Sequence, residues 1–420
     1  MTAINMERRR SVMSRSVRLG HCVCDPTQGC PCDTFRLHNR CPCAGEKPPL
    51  PTGAVALTKL VRKAGCASKI PQADLLRLLA ELPPVADPQV LVGAAAGDDA
   101  GVYRLSDDLA LVQTIDVFTP CVDDPRMFGR IAAANSVSDV YAMGGRPISA
   151  LSAVGFPLDD VDGAVLTEMM QGGMEKLAEA GCALIGGHSW QDAEIKLGFA
   201  VTGLIHPDRA VRRGAARAGD ALVLTKALGT GMVAFGAQIG RITPEALADA
   251  SRSMATLNRD AAEAMVRHEA HAATDVTGFG LAGHLIEMMR ASRCSCRIDA
   301  NALPVFRAVP QCLAGGVLSG AVERNQEYAM GWVRADEPSA EPLLPIFYDP
   351  QTSGGMLISL PPDRARRLRD ELQAKGHAET RLIGQVYANE PGAESRMVVV
   401  GSALDACRGP EHSMRESAAP

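Results

Sequence analysis

The chain has 420 residues, enough for two or three domains that each bury a core of their own. Aromatic residues make up 4% of it and the formal charge of −5 is spread along its length, which excludes a general nucleic-acid binder and leaves small and aliphatic residues to fill the interior. No apolar run approaches the roughly 18 residues of a membrane span, so a cytoplasmic protein with no membrane partner is expected.

Residues 1–52 read as a separate module. Its opening, MTAINMERRRSVMSRSVRLG, is rich in Arg and Ser, lacks the apolar centre of a signal peptide, and reads as a flexible basic leader. Six of the thirteen cysteines follow as three C-x-C pairs: Cys22, Cys24, Cys30, Cys32, Cys41 and Cys43. They offer thiolates for Zn²⁺ or an iron–sulfur cluster, with His21 and His38 as further donors. The spacing is not that of zinc ribbons, so a structural metal, a sulfur- or selenium-handling relay, disulfides and an unfolded tail all stay open. A module this small with few large apolar side chains needs some such staple to fold. The prolines of Glu46-Lys47-Pro48-Pro49-Leu50-Pro51 make an extended linker.

Residues 53–90 carry the run Lys63-Ala64-Gly65-Cys66-Ala67-Ser68-Lys69 and a helix over 72–82, stopped by Pro83-Pro84. Small residues let a ligand approach the backbone closely, and an ammonium near a thiol lowers its pKa and attracts phosphate. Taken alone, the run reads first as a partly buried thiol packed in a turn.

From 91 to 207 strands and helices alternate. Strands are expected at 102–105, 109–115, 148–155, 182–185 and 195–204. Asp124-Pro125 supplies an N-cap and a first-turn proline for a helix to 143, and a second helix runs over 162–180. The next region, 219–402, opens with a strand at 221–225 and continues through helices near 244–268 and 279–291. It then shows strands at 356–360, 381–386 and 397–400, followed by a flexible tail over 403–420. Both halves mix the two element types, which predicts two domains of α/β (α+β) class.

The acidic residues stand where elements begin and end. Asp98 and Asp99 precede a strand, Asp116 ends one, Asn135 and Asp139 share a helix face, and Asp275 lies in Thr274-Asp275-Val276-Thr277-Gly278-Phe279-Gly280. Each alone would serve as a turn or cap residue. Together they suit Mg²⁺ bridging protein to phosphates. Gly186-Gly187-His188-Ser189, and Ser353-Gly354-Gly355 after Asp349-Pro350-Gln351-Thr352, offer backbone N–H groups to phosphate oxygens. Neither a Walker A run nor a strand-borne G-x-G-x-x-G is present, so this is neither a P-loop nor a protein-kinase site.

Taken in order, Ala64-Gly65-Cys66 with Lys69, Gly97-Asp98-Asp99-Ala100, Thr114-Ile115-Asp116, Asn135 to Asp139 with Met143-Gly144-Gly145, the Gly186 and Thr274 runs, Glu323-Arg324-Asn325, and Asp349 to Gly355 resemble the selenophosphate synthetase (selenide, water dikinase) family. That family belongs to the aminoimidazole ribonucleotide synthetase superfamily, and the likeness covers residues 57–400. It implies a two-domain aminoimidazole ribonucleotide synthetase-like fold behind the Cys-rich extension, in a homodimer. The implied reaction is a phosphotransfer with paired acceptors: ATP, selenide and water give selenophosphate, AMP and phosphate.

By the same resemblance Cys66 corresponds to the catalytic cysteine and Lys69 to a lysine on the ATP phosphates. Asp99, Asp139 and Asp275 correspond to Mg²⁺ ligands, and Asp98, Asp116 and Asp139 lie on the nucleotide side. Gly187, His188 and Ser189 correspond to a phosphate-side loop contributed across the dimer, and a selenium-delivery protein is a further expected partner. Two departures stand out. Ala67 and Ser68 replace the family's usual glycine and second cysteine, and Ala94-Ala95-Ala96-Gly97 lacks the basic residues common before Asp98. They keep two alternatives open: a superfamily paralogue using the same ATP site on a sulfur or other acceptor, and a non-catalytic selenium or metal carrier.

Overall fold

The computed structural model describes residues 6–22, 27–44, 46, 55–81, 83, 85–94, 97–390 and 392–401. The N-terminal module holds α1 (Met6–Leu19) and α2 (Asp33–His38). Residues 6–19 are therefore helical, not the flexible leader expected from their composition. The cause is a buried ion pair, in which the Arg9 guanidinium donates to the Glu46 carboxylate and to the Asn39 carbonyl oxygen, the latter at 2.8 Å. The expected tail over 403–420, Cys24 and most of the proline linker lie outside the described residues.

After α3 (Gln72–Ala80), a first sheet is built from β1 (Val90–Val92), β2 (Gly101–Arg104), β3 (Ala110–Phe118), β4 (Arg146–Phe156), β5 (Ala183–Gln191) and β6 (Lys196–Ile205). Its order is β1-β2-β3-β6-β4-β5, antiparallel except where β4 meets β5. Two helices cover it, α4 (Pro125–Ala142) and α5 (Gly163–Glu179). Asp124 caps α4 by accepting from Met127 N at 2.7 Å, as the Asp-Pro pair predicts. The expected strand at 182–185 runs on to Gln191, so Gly186-Gly187-His188-Ser189 is strand and not loop. Pairing with β4 accounts for this, with Gly187 opposite Ser152 and His188 opposite Ala153.

The second domain contains β7 (Ala221–Leu224), α6 (Thr230–Gln238), α7 (Pro244–Ala255), α8 (Arg259–Arg267), β8 (Ala272–Asp275), α9 (Gly280–Ser292) and β9 (Cys294–Asp299). It continues with α10 (Val309–Ala314), α11 (Gly320–Ala329), β10 (Val333–Ala335), α12 (Leu344–Tyr348), β11 (Met356–Leu360), α13 (Pro362–Ala374), β12 (Arg381–Ala388) and β13 (Met397–Val400). The single helical stretch expected near 244–268 is two helices, broken where the Asn258 side chain turns inward to donate to Ser138 Oγ and Gly354 O, both at 2.9 Å. Seven strands form a mixed sheet ordered β10-β13-β9-β12-β7-β11-β8.

β7, β8 and β11 are buried along their whole length; β7 and β11 read as mainly apolar runs, whereas β8, Ala272-Ala273-Thr274-Asp275, is not among the expected strands and ends in two polar residues at the cleft. Alternation sorts their side chains. Met356, Ile358 and Leu360 join a core shared with the first domain, while Leu357 faces a second core beneath α9. The first of these cores is thus common to both domains, and the cleft between them is held by packing.

Candidate active site

Cys66 sits in a single 3₁₀ turn over Cys66–Ser68 between Gly65 and Lys69. Gly65 has φ +59°, and a Cβ there would lie 2.5 Å from Thr352 Oγ1, so only glycine lets the loop press against residues 350–355. Cys66 N then donates to Thr352 Oγ1 at 3.1 Å, and Gly65 N to Thr119 O at 3.1 Å. The Cys66 side chain is 2% exposed, and its Sγ lies 3.9 Å from Asn135 Oδ1. Burial pushes the thiol up to about 12 despite the nearby Lys69 ammonium.

Three residues on, Lys69 Nζ reaches Asp116 at 2.7 Å. Burial works against its charge, but Asp116, helped by Asp139, outweighs burial and holds its pKa above the usual lysine range. Asp116 also accepts from Asn135 Nδ2. The Asn135 amide oxygen in turn accepts from Ser353 N at 2.8 Å, so this one side chain ties together the first domain, the Cys66 loop and the second domain.

Beside this pair, Asp99, Asp139 and Asp275 bring carboxylate oxygens within 4.8 Å of one another. They arrive from separate elements: Asp99 before β2, Asp139 on α4, Asp275 at the end of β8. Hydroxyls orient them, Thr274 donating to Asp99 Oδ1 at 2.7 Å and Thr114 to Asp139 Oδ2 at 2.5 Å. Burial first, and then mutual repulsion, raises Asp99 and Asp139 well above the ordinary carboxylate range. Asp275 is raised too, again mainly by burial, with the Ser138 hydroxyl and Lys69 pulling the other way. Asp99 and Asp275 each keep one buried oxygen with no partner among the described residues. A divalent cation would satisfy both the geometry and the missing partners.

Two residues of this cleft escape the sequence reading. Arg213, from the segment joining the domains, enters it and donates its backbone N–H to Asp98 Oδ1 at 3.3 Å. It supplies the positive charge that Ala94-Ala95-Ala96-Gly97 lacks; only the Arg212-Arg213 pair hints at it. His284 on α9 accepts from Thr277 N at 3.1 Å, and burial lowers its pKa to about 3, so the ring is a neutral prop for the turn after Asp275. A histidine four residues after the Gly-Phe-Gly run was the available signal.

The structure treats the two glycine runs differently from expectation. Residues 349–355 are wholly buried, and Gly354 lies so close to Val276 that a Cβ would be 2.1 Å from its carbonyl oxygen. Gln351 Oε1 accepts from Gly229 N, Thr230 N and Thr230 Oγ1 at 3.0–3.1 Å, while Ser353 N is spent on Asn135. This run is therefore a joint between domains and not a phosphate cradle. Gly187, His188 and Ser189 are exposed on β5 and line no part of the carboxylate cleft of their own chain.

In the N-terminal module Cys22 Sγ and Cys43 Sγ lie 3.4 Å apart, with Cys32 and Cys41 buried beside α2 and Cys30 more open. Burial raises the Cys41 thiol, with Cys32 and Cys22 close enough to add to the effect. Among the described residues, Asp99, Asp139 and Asp275 make up the one set of three metal-type donors within mutual reach, and Cys24 lies outside those residues.

Comparison with known proteins matches this architecture. The model of AIR synthase related protein, N-terminal domain, covers residues 97–205, and that of the C-terminal domain covers 217–394. Among solved structures, hydrogenase maturation protein HypE in complex with ATP superposes with a TM-score of 0.55 at 20% identity, over 82% of this chain and 94% of that one. Thiamine-monophosphate kinase from Stenotrophomonas maltophilia gives 0.52 at 19% identity, over 79% and 96%. At these identities the likeness shows the fold. In sequence, selenide, water dikinase 2 of Peptoclostridium acidaminophilum is 41% identical over 82% of this chain and 98% of its own length. Selenide, water dikinase of Pelobacter propionicus is 44% identical over 79% and 95%. With the cysteine–lysine turn and the carboxylate cleft both in place, this chain belongs to the selenide, water dikinase family.

Proposed function

We propose that this chain makes selenophosphate from ATP, selenide and water, releasing AMP and phosphate. Family membership supports the reaction. The observation that carries it to particular residues is the meeting of the Cys66–Lys69 turn with Asp99, Asp116, Asp139 and Asp275 around one cleft. A selenium carrier would gain nothing from burying several carboxylates side by side, since each raises the others' cost of ionising, and a metal carrier would have no use for the cysteine–lysine turn beside them.

Asp99, Asp139 and Asp275 are the residues to hold Mg²⁺, which when bound neutralises phosphate charge and lets the carboxylates stay ionised together. Lys69, 27% exposed beside Asp116, and Arg213 across the cleft give fixed positive charge to the triphosphate. Asp116 keeps Lys69 charged, and Asn135 fixes the distance between that pair and the cysteine turn. Cys66 serves the selenium side. Its buried thiol is protonated at neutral pH, so it ionises only when its surroundings gain water or positive charge, which links its reactivity to opening of the turn.

Gly187, His188 and Ser189 act across a homodimer. Supporting this, β5 is an open edge carrying Ile185 at 68% exposure and Trp190 at 38%, an unusual apolar display for a finished surface. The clustered cysteines of the N-terminal module suit a soft metal such as zinc or an iron–sulfur cluster, or a docking point for a selenium-delivery protein. No helix among the described residues is long and apolar enough to cross a membrane.

The test is phosphorus NMR of the full chain with ATP, Mg²⁺ and anaerobic selenide. Selenophosphate with AMP and phosphate in equal amounts is the expected outcome. ATP consumption without selenophosphate, or a phosphorylated product with sulfide alone, would transfer the site to a different acceptor.

A further inference from the structure

The Cys66 turn has a second side. Opposite the carboxylate cleft, Ala64, Ala67 and Thr352 form one wall of a separate cavity of about 110 Å³, closed by α6 and by the start of α11. Its lining contains three cationic side chains, Arg62, Lys63 and Arg324, and no acidic one. The remaining walls are largely apolar, including Ala234, Phe235 and Pro350. A space of this size does not take a nucleotide, which needs several times more.

Ser319 is the N-cap of the ten-residue helix α11, yet its side chain makes no cap hydrogen bond. The residue is 8% exposed, lines the cavity, and its Oγ has no partner among the described residues. A buried hydroxyl without a partner is costly, and it stands at a helix end that already favours negative charge. Arg324, on the same helix, donates to Ala67 O at 3.2 Å, which fixes the cavity directly against the cysteine turn. Arg62 and Lys63 are exposed at the mouth, and neither side chain has an ion-pair partner among the described residues.

From this geometry we infer that the cavity is the entry site for the selenium substrate as a small monoanion, hydroselenide (HSe⁻). The inference rests on the proposed selenophosphate activity. The charge pattern draws an anion, and the largely apolar remaining walls and small volume favour a compact, weakly hydrated one over a strongly hydrated one such as phosphate. Selenide would then approach Cys66 from the side away from ATP. The two substrates of opposite character, a metal-bound polyphosphate and a soft anion, would be kept apart until they meet at the turn. Only binding is inferred here, with no bond made or broken in the cavity.

The experiment is steady-state kinetics of the full-length enzyme under anaerobic conditions, with selenide and ATP varied separately. Arg62→Glu combined with Lys63→Glu is expected to raise the KM for selenide roughly tenfold or more, leaving the KM for ATP within about twofold. Ser319→Ala, which keeps the helix and removes the hydroxyl, is expected to raise the selenide KM by a smaller factor in the same direction. Iodide is expected to compete with selenide in the wild type and to lose that competition in the double variant. An unchanged selenide KM in both variants, with selenophosphate still formed, overturns the entry site and leaves the proposed function standing. Absence of selenophosphate from the wild type overturns both.

Discussion

The carboxylate cleft and the joint at 349–355 spend their polar groups differently. In the cleft Asp99, Asp116, Asp139 and Asp275 are only partly matched: Lys69 answers Asp116, single hydroxyls answer Asp99 and Asp139, Asp99 and Asp275 each keep one oxygen without a partner among the described residues, and repulsion is left over. In the joint Gln351 accepts from three donors, Asn258 holds Gly354 O and Ser353 N donates to Asn135, while Asp349 Oδ1 and Ser353 Oγ have no partner among the described residues. The cleft holds several carboxylates in mutual repulsion until a ligand arrives; the joint is closed by packing and acts as the fixed reference against which the Cys66 turn is placed. Groups that hold a fold together seek partners within it, while groups that bind must be left wanting.

The sharpest way to break that division is at the Cys66 turn, which lies between the cleft and the joint. Cys66→Ser is expected to abolish selenide-dependent turnover while leaving ATP affinity nearly intact, read by phosphorus NMR and by calorimetry. Loss of both together would mean that the turn itself shapes the nucleotide site. Next in size, Asp139→Asn is expected to weaken Mg²⁺-dependent ATP binding by at least about tenfold and yet to stabilise the metal-free protein, because it removes one of the mutually repelling carboxylates. A variant that lost ATP binding and stability alike would place Asp139 among the structural groups.

At the joint, Gly354→Ala is expected to cost roughly 1–3 kcal/mol in denaturant unfolding, since its Cβ would run into Val276 O, with little change in ATP affinity per folded molecule. Equal stability would show that the joint is looser than its packing implies.

The smallest effect is one of pH. Raised carboxyl pKa values mean that the folded chain holds protons the unfolded chain would release. Stability of the metal-free protein therefore falls as pH climbs from the ordinary carboxylate range through the raised values. Mg²⁺ replaces those protons, so the rise in Tm on adding it should be larger at pH 8 than at pH 5.5. A shift that is flat with pH would remove these carboxylates as the metal ligands.

Much of this was legible in the chain itself. Local chemistry determined α4, where Asp124-Pro125 begins a helix that its own side chain caps, and the alternating elements of both domains. The order of short motifs carried the family, and within it Cys66, Lys69 and the carboxylates that the cleft does bring together. Helix α1 was not legible, because its buried Arg9 finds Glu46 only once the module closes. Nor were Arg213 and the joint at 349–355: Arg213 N reaches Asp98 across 115 positions, and Ser353 N reaches Asn135 across 218. A glycine run looks the same in a sequence whether its N–H groups await a phosphate or are already spent on a neighbouring domain. Local propensity sets what a segment can become, but which polar groups remain unsatisfied depends on what packs against them, and that is decided only when distant segments meet.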